Sequence, residues 1–306
     1  MLGASHELLP DPAGDGVLLL TGPPEGGVAD KSMELWRWDG TAWELVDAGS
    51  EAPPERSFFA TGYDSRRDVV VLYGGDLPAD DAEGTWEWDG TRWTAHREQG
   101  PGPRLASAMA WDPASAEVVL YGGDDGAGGI RNDTWSWDGQ RWERLAADGP
   151  DPARWPAMMV SDPPRAGLVL YGGHQVVDES LPSALADTWT WRATGWTRTA
   201  ARGPGRLVNA EAVVHPELGV LLVGGSDMQQ AHGHVWRWDD GDWTLLGRDV
   251  FPARQAFGLA YDAARDTVVL TGGLVTAGET SRHQDVWEWT GDPGTPAAQV
   301  ADFGEP

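Results

Sequence analysis

The stretch 133–142 reads DTWSWDGQRW, placing three tryptophans within eight residues. Related stretches are LWRWDGTAW (35–43), TWEWDGTRW (85–93), TWTWRATGW (188–196), VWRWDDGDW (235–243) and VWEWTGDPG (286–294). Their leading tryptophans, Trp36, Trp86, Trp135, Trp189, Trp236 and Trp287, follow one another at steps of 50, 49, 54, 47 and 51 residues. Seventeen of the 19 tryptophans belong to the pattern, so an internal repeat organises the chain. Asp-Gly favours a tight hairpin, because the two turn positions want positive φ. With Asp138 and Gly139 at that turn, Trp137 is expected opposite Gln140 and Trp135 opposite Trp142. Side chains alternate along a strand and directly opposed residues share a face. All three indoles then form an apolar slab on one side of the hairpin, which only a neighbouring unit can bury.

Each period carries two further parts. An apolar run ends in a glycine pair: VVVLYGG (69–75), VVLYGG (118–123), LVLYGG (168–173), VLLVGG (220–225) and VVLTGG (268–273), with VLLLTG (17–22) as a degraded copy. Before it stands a proline-rich lead-in, an arginine and a mostly apolar stretch, as in PGPRLASAMAWD and FPARQAFGLAYD. The unit reads as short strands joined by turns.

The glycine pair, the paired aromatics before a turn and the following tryptophan resemble the kelch repeat, across about residues 4–300. The resemblance implies an all-β fold: a six-bladed kelch-type β-propeller, four antiparallel strands per blade, in a single domain over 1–306. The blades are expected at about 1–48, 49–98, 99–148, 149–201, 202–248 and 249–300, with a tail at 301–306. Two departures fall at the seam. Gly294 replaces the last tryptophan of the sixth hairpin, and Gly3 stands where other units have arginine.

Composition narrows the function classes. The chain of 306 residues has 22 basic and 48 acidic residues, a net charge of -26, which disfavours nucleic acid and anionic membranes as partners. No segment reaches the ~18 apolar residues that span a bilayer. The opening MLGASHELLPDPAGDG lacks a basic start followed by a long apolar run, so a cytoplasmic location and a monomer are expected. The chain has no cysteine, which removes disulfides and cysteine metal sites. It also excludes the copper-radical oxidase chemistry associated with this repeat, which needs a tyrosine crosslinked to cysteine.

In such a propeller the loops after the glycine pairs and the lead-ins share the face that holds the channel mouth. Arg56, Arg104, Arg154, Arg206 and Arg254 are expected there, and guanidinium groups suit carboxylates. In kelch domains that read acidic peptides, arginines so placed bind ligand. The competing role is structural, tying a blade to its neighbour's acidic loop, with Asp133, Asp187 and Asp285 as partners. Trp155, beside Arg154, is a candidate for stacking on a ligand.

Glu7 and Glu211 stand out. Each lies four residues before the residue closing an inner strand (Asp11 and His215), where other units have Ala60, Ala108, Met158 and Gly258. A carboxylate at such a crowded position is costly unless paired, hydrated or functional. The two belong to blades separated only by blade six and can share a pocket, with His6 and Asn209 as neighbours. Paired carboxylates in unequal surroundings divide acid and base roles.

His232, His234, His283 and His174 are the candidate metal ligands, all on loops of one face. Their spacing across blades is no local ligand motif, and no cofactor is expected. Two functional readings follow. One is a binding module for an anionic small molecule, an acidic peptide or a protein partner. The other is an enzyme of the sugar-acid isomerase, mutarotase or cyclising-lyase kind, by analogy with kelch-type sialic acid mutarotases.

Overall fold

A computed structural model describes residues 6–14, 16–22, 32–47, 52–76, 84–97, 100–176, 182–193, 195–199, 203–275 and 283–302. Each repeat folds into one four-stranded antiparallel sheet made from a contiguous stretch of chain, giving six blades. The innermost strands are His6–Pro10, Ala60–Asp64, Ala108–Asp112, Met158–Asp162, Glu211–His215 and Gly258–Asp262. The apolar runs before the glycine pairs form the second strands. They read as continuous hydrophobic segments because both faces are covered: Val118, Val119 and Leu120 have no solvent exposure. Blade four adds a small hairpin of two strands, His174–Val176 and Pro182–Ala184. Among the described residues no helix is long and apolar enough to cross a membrane.

The tryptophan hairpins bury their slab in a register different from the expected one. Trp137 pairs with Trp142 and Trp135 with Arg144, leaving a four-residue loop over 138–141. The Asp138 carboxylate accepts the backbone N–H groups of Gln140 and Arg141 at 2.7 and 2.9 Å, which holds the wider loop. Only Gly139 takes a positive φ, 98°, so the two-residue turn does not form. The shared face survives the change, because Trp137 and Trp142 are now the directly opposed pair. Their rings lie 5.5 Å apart and pack on Ala60, Val69, Val71 and Tyr73 of blade two.

Polar groups fix how adjacent blades meet. The last indole of a hairpin donates to a threonine hydroxyl on the preceding blade: Trp142 to Thr85 at 2.8 Å, Trp196 to Thr134 at 2.8 Å and Trp243 to Thr188 at 3.0 Å. Tyr73 and Tyr121 reach the lead-in of the next blade, donating to the carbonyls of Gly102 and Pro150. Val235 holds the threonine position in blade five, beside the sixth hairpin that has lost its tryptophan. A Thr85→Val variant keeps the shape and leaves the buried Trp142 N–H without an acceptor. It is expected to cost ~1–3 kcal/mol in urea unfolding. Adding Trp142→Phe should shrink that increment in a double-mutant cycle.

The ring closes between blades one and six. Leu8, Val17, Leu19 and Trp38 pack against Ala260, Val269 and Val286. The Trp38 indole donates to Glu288 at 3.0 Å. Gly258 permits the close approach: a Cβ there would lie 2.9 Å from Leu8 Cγ. Ala298–Asp302 forms the outer strand of blade six, so that blade runs to 302 rather than ending at 300.

Candidate functional site

The inner strands surround a central cavity of about 340 Å³. Glu7, Glu211, His6, Asn209 and Trp155 all line it, from blades one, five, one, five and four. Glu7 pairs across its blade with Leu20, and Glu211 with Val223. Gly258 occupies the equivalent position of the intervening blade and adds no side chain between them. The rest of the wall is mostly apolar and includes Phe58, Phe59, Met109, Met158 and Phe257. Thr61 and Ser107 add hydroxyls, and among the described residues no lysine or arginine is part of the lining.

This setting governs the two carboxyl groups. Each keeps some surface open to the cavity but lies deep below the molecular surface. Burial pushes Glu7 up to about 7. Burial also raises Glu211 well above the usual carboxylate range, and the nearby charge of Glu7 raises it further. The pair therefore gives up its first proton near neutrality, and the charge on the group that ionises first holds the second proton in place. One ionised and one protonated carboxyl group then face the same cavity.

The rim is built from backbone in an uncommon conformation. Phe58, Ala106, Asn209 and Ala256 have φ of 57°, 49°, 52° and 53°. Ala106 N–H donates to Phe58 O at 2.7 Å and Ala256 N–H to Asn209 O at 3.0 Å, joining one blade to the next. Asparagine tolerates this region, whereas phenylalanine rarely occupies it. Phe58 is also 57% exposed, a large aromatic held at the mouth of the cavity. The sequence reading missed it, and its only signal was the apolar pair Phe58–Phe59, one residue beyond the arginine of its lead-in. Asn209 donates from its side-chain amide to Gln255 Oε1 at 3.2 Å.

The lead-in arginines, expected at the cavity mouth, are not among the residues that line the central cavity. Arg104, Arg154 and Arg254 are at most 2% exposed. Each chelates the aspartate before the hairpin of its own blade. Arg104 holds Asp133 at 2.8 and 3.0 Å, Arg154 holds Asp187 at 2.6 and 3.0 Å, and Arg254 holds Asp285 at 2.7 and 3.0 Å. Each also donates to the carbonyl of the first glycine of the pair, Gly122, Gly172 or Gly272. The tie is within a blade, not to the neighbour's loop, because lead-in and hairpin approach each other at the same end of one sheet. Burial pushes the three aspartates up, but hydrogen bonds and charge from the arginines outweigh it and hold them below their ordinary value. Arg56 is equally buried and donates to Pro54 O and Gly74 O, both at 3.1 Å. Gly3 lies outside the described residues.

Arg206 is exposed and out of register with the others. The residue after each arginine bridges the strand beyond the glycine pair: Leu105 to Asp124, Trp155 to His174 and Gln255 to Leu274. In blade five that residue is Val208, bridged to Ser226, so Leu207 takes the arginine's place. The alignment by proline and arginine concealed a slip of one residue.

The histidines do not converge. His232 and His234 lie side by side with ring centroids 5.2 Å apart, and engage different aspartates, Asp227 at 3.2 Å and Asp249 at 3.4 Å. His174 exchanges backbone hydrogen bonds with Trp155, and His283 donates its N–H to Gly273 O at 3.1 Å. Among the described residues no group of three or more histidine, aspartate or glutamate side chains is arranged to hold a metal ion.

Neither the protein-family profiles nor the curated proteins compared with the chain include a match. Among solved structures, that of YjhT is similar with a TM-score of 0.66, over 98% of this chain and 97% of that one, at 13% sequence identity. At that identity the likeness shows the propeller fold and leaves the chemistry to the site itself.

Proposed function

We propose that this chain is a kelch-type propeller that carries out proton-transfer chemistry on a small hydroxylated molecule, with Glu7 as base and Glu211 as acid. The observation that carries the reading is the meeting of two carboxyl groups of raised pKa in one cavity. A base poised near the working pH beside a carboxyl group that keeps its proton is the arrangement general acid–base catalysis needs. The glycine pairs and aromatic hairpins support the kelch assignment.

The substrate follows from what lines the cavity. Arg104, Arg154 and Arg254 are engaged by aspartates, Arg56 donates to backbone carbonyls, and among the described residues the wall offers an anionic ligand no arginine or lysine as counterion. A neutral polyol or sugar has hydroxyls for Asn209, Thr61 and Ser107, and apolar edges for Phe58 and Trp155. Opening of a cyclic hemiacetal suits the pair. Glu7 takes the proton of the anomeric hydroxyl, Glu211 gives its proton to the ring oxygen, the ring C–O bond breaks and a carbonyl forms. Closure on the other face returns both protons and restores the starting state without a cofactor.

The test is exchange NMR of anomer interconversion over a panel of neutral reducing sugars and sugar acids. Acceleration is expected for at least one neutral sugar, and its loss on replacing either glutamate. Saturable binding without acceleration would make the cavity a binding site instead. Neither binding nor acceleration across the panel would overturn the reading.

A further inference from the structure

Blade five departs from its neighbours where the others place their buried ion pair. Leu207 stands for the arginine, and His234 stands for the aspartate: Gly224 N–H donates to His234 O as Gly122 N–H does to Asp133 O and Gly172 N–H to Asp187 O. The space that the ion pair fills elsewhere is open here. It forms a cavity of about 390 Å³ lined by residues of blade five. Arg206, Arg248, His232 and His234 line it, with Leu207 and Trp236 as apolar walls. It shares the Leu207 wall with the central cavity, whose lining contains no arginine among the described residues.

Four cationic or proton-donating side chains meet here in a chain of net charge -26. Among the described residues neither Arg206 nor Arg248 enters an ion pair, and both are exposed at the rim. Of the acidic groups here, Asp227 is engaged by His232, and the Asp249 side chain is exposed to solvent. Asp227 lies 3.2 Å from His232 Nε2, and Asp249 lies 3.4 Å from His234 Nδ1. The backbone N–H of Asp249 donates to His234 Nδ1 at 3.2 Å, which leaves the proton on Nε2 of that ring free to donate elsewhere.

We infer that this notch is a second ligand site that takes a small oxyanion, a phosphate or carboxylate group, between Arg206 and Arg248 with the imidazoles beneath. Guanidinium pairs at the edge of a partly apolar pocket suit a planar or tetrahedral anion through charge-assisted hydrogen bonds. The one-residue slip of the blade-five lead-in creates the site twice over. It leaves Leu207 where the arginine would plug the cavity, and it moves Arg206 to the rim.

The test is isothermal titration calorimetry of the full chain at constant ionic strength and pH 7, with inorganic phosphate in one arm and citrate in the other. Saturable binding of at least one anion is expected, and the arm that binds identifies the headgroup. Arg206→Ala with Arg248→Ala should weaken it at least ~10-fold. Glu7→Gln with Glu211→Gln should leave it unchanged, which separates this site from the central one. Leu207→Arg with His234→Asp should rebuild the ion pair, fill the notch and remove binding, and this arm decides if the arginine variant fails to fold by circular dichroism. Absence of saturable binding in both arms, or binding that survives the notch variants, would overturn the inference.

Discussion

Replacing Arg154 with alanine is expected to destabilise the propeller by about 3–5 kcal/mol, because it leaves the Asp187 carboxylate buried without its counter-charge. Arg154 is 1% exposed and spends its donors on Asp187, Gly172 O and Pro152 O. Asp187 also accepts the Trp189 indole N–H at 2.7 Å, so the loss loosens the start of the hairpin as well. Thermal unfolding should shift down by on the order of 10 °C. The paired replacement Arg154→Met with Asp187→Leu should recover part of that loss, since removing both charges also removes their desolvation cost. A shift of less than about 1 °C would show that the pair contributes nothing net. The acid limb of stability follows from the same pairs. Asp133, Asp187 and Asp285 are held below their ordinary value in the folded state. Their contribution is complete above about pH 4, the unfolded aspartate value, and is lost as pH falls below it.

Glu7→Gln and Glu211→Gln have the second largest expected effects, and the two readouts run in opposite directions. Activity should fall ~10²–10⁴-fold in either variant if the carboxyl groups act as base and acid. Stability should rise. A carboxyl group raised in the folded state holds its proton there after the unfolded chain has released it, so folding loses free energy as pH climbs from the unfolded value near 4.5 through the folded one. For Glu7, pushed up to about 7, the loss sets in above pH 4.5 and is complete above pH 7. At pH 8 Glu7→Gln should therefore be more stable than the parent by on the order of 2–3 kcal/mol, with no gain at pH 4. The parent's rate should rise with pH through about 7 as Glu7 ionises, and fall again where Glu211 gives up its proton. A Gln variant without a stability gain at pH 8 would mean that the carboxyl groups are already relieved by the protein around them.

The opposed pH dependences separate two uses of buried charge in this molecule. The clamps place every carboxylate against a guanidinium and gain from ionisation. The central pair has no such partner in the cavity wall and loses by it. A site that resists ionisation near neutrality is what proton transfer requires, and the remaining stability of six packed blades is what keeps it folded.

The number of blades was legible in the chain, because glycine pairs, hairpin tryptophans and repeat length are local properties that each unit states again, while the four strands of each blade followed from the kelch resemblance. The sequence also marked Glu7 and Glu211, since a carboxylate among alanine, methionine and glycine breaks a periodic pattern. Tertiary structure alone decided the rest. The hairpin register turned on whether an aspartate side chain or a positive φ would satisfy the turn, and both are compatible with Asp-Gly. The destination of the arginines depended on residues 29 to 33 positions away, which only the folded blade brings within hydrogen-bonding distance. His215 replaces the turn-capping aspartate of other blades by accepting the N–H groups of Glu217 and Leu218 at 3.2 and 3.3 Å, a substitution that composition does not announce. The slip that puts Leu207 where arginine is expected is a change of a single residue in spacing. Spacing is legible in a chain, but which of two neighbouring residues faces inward is settled by the strand it pairs with.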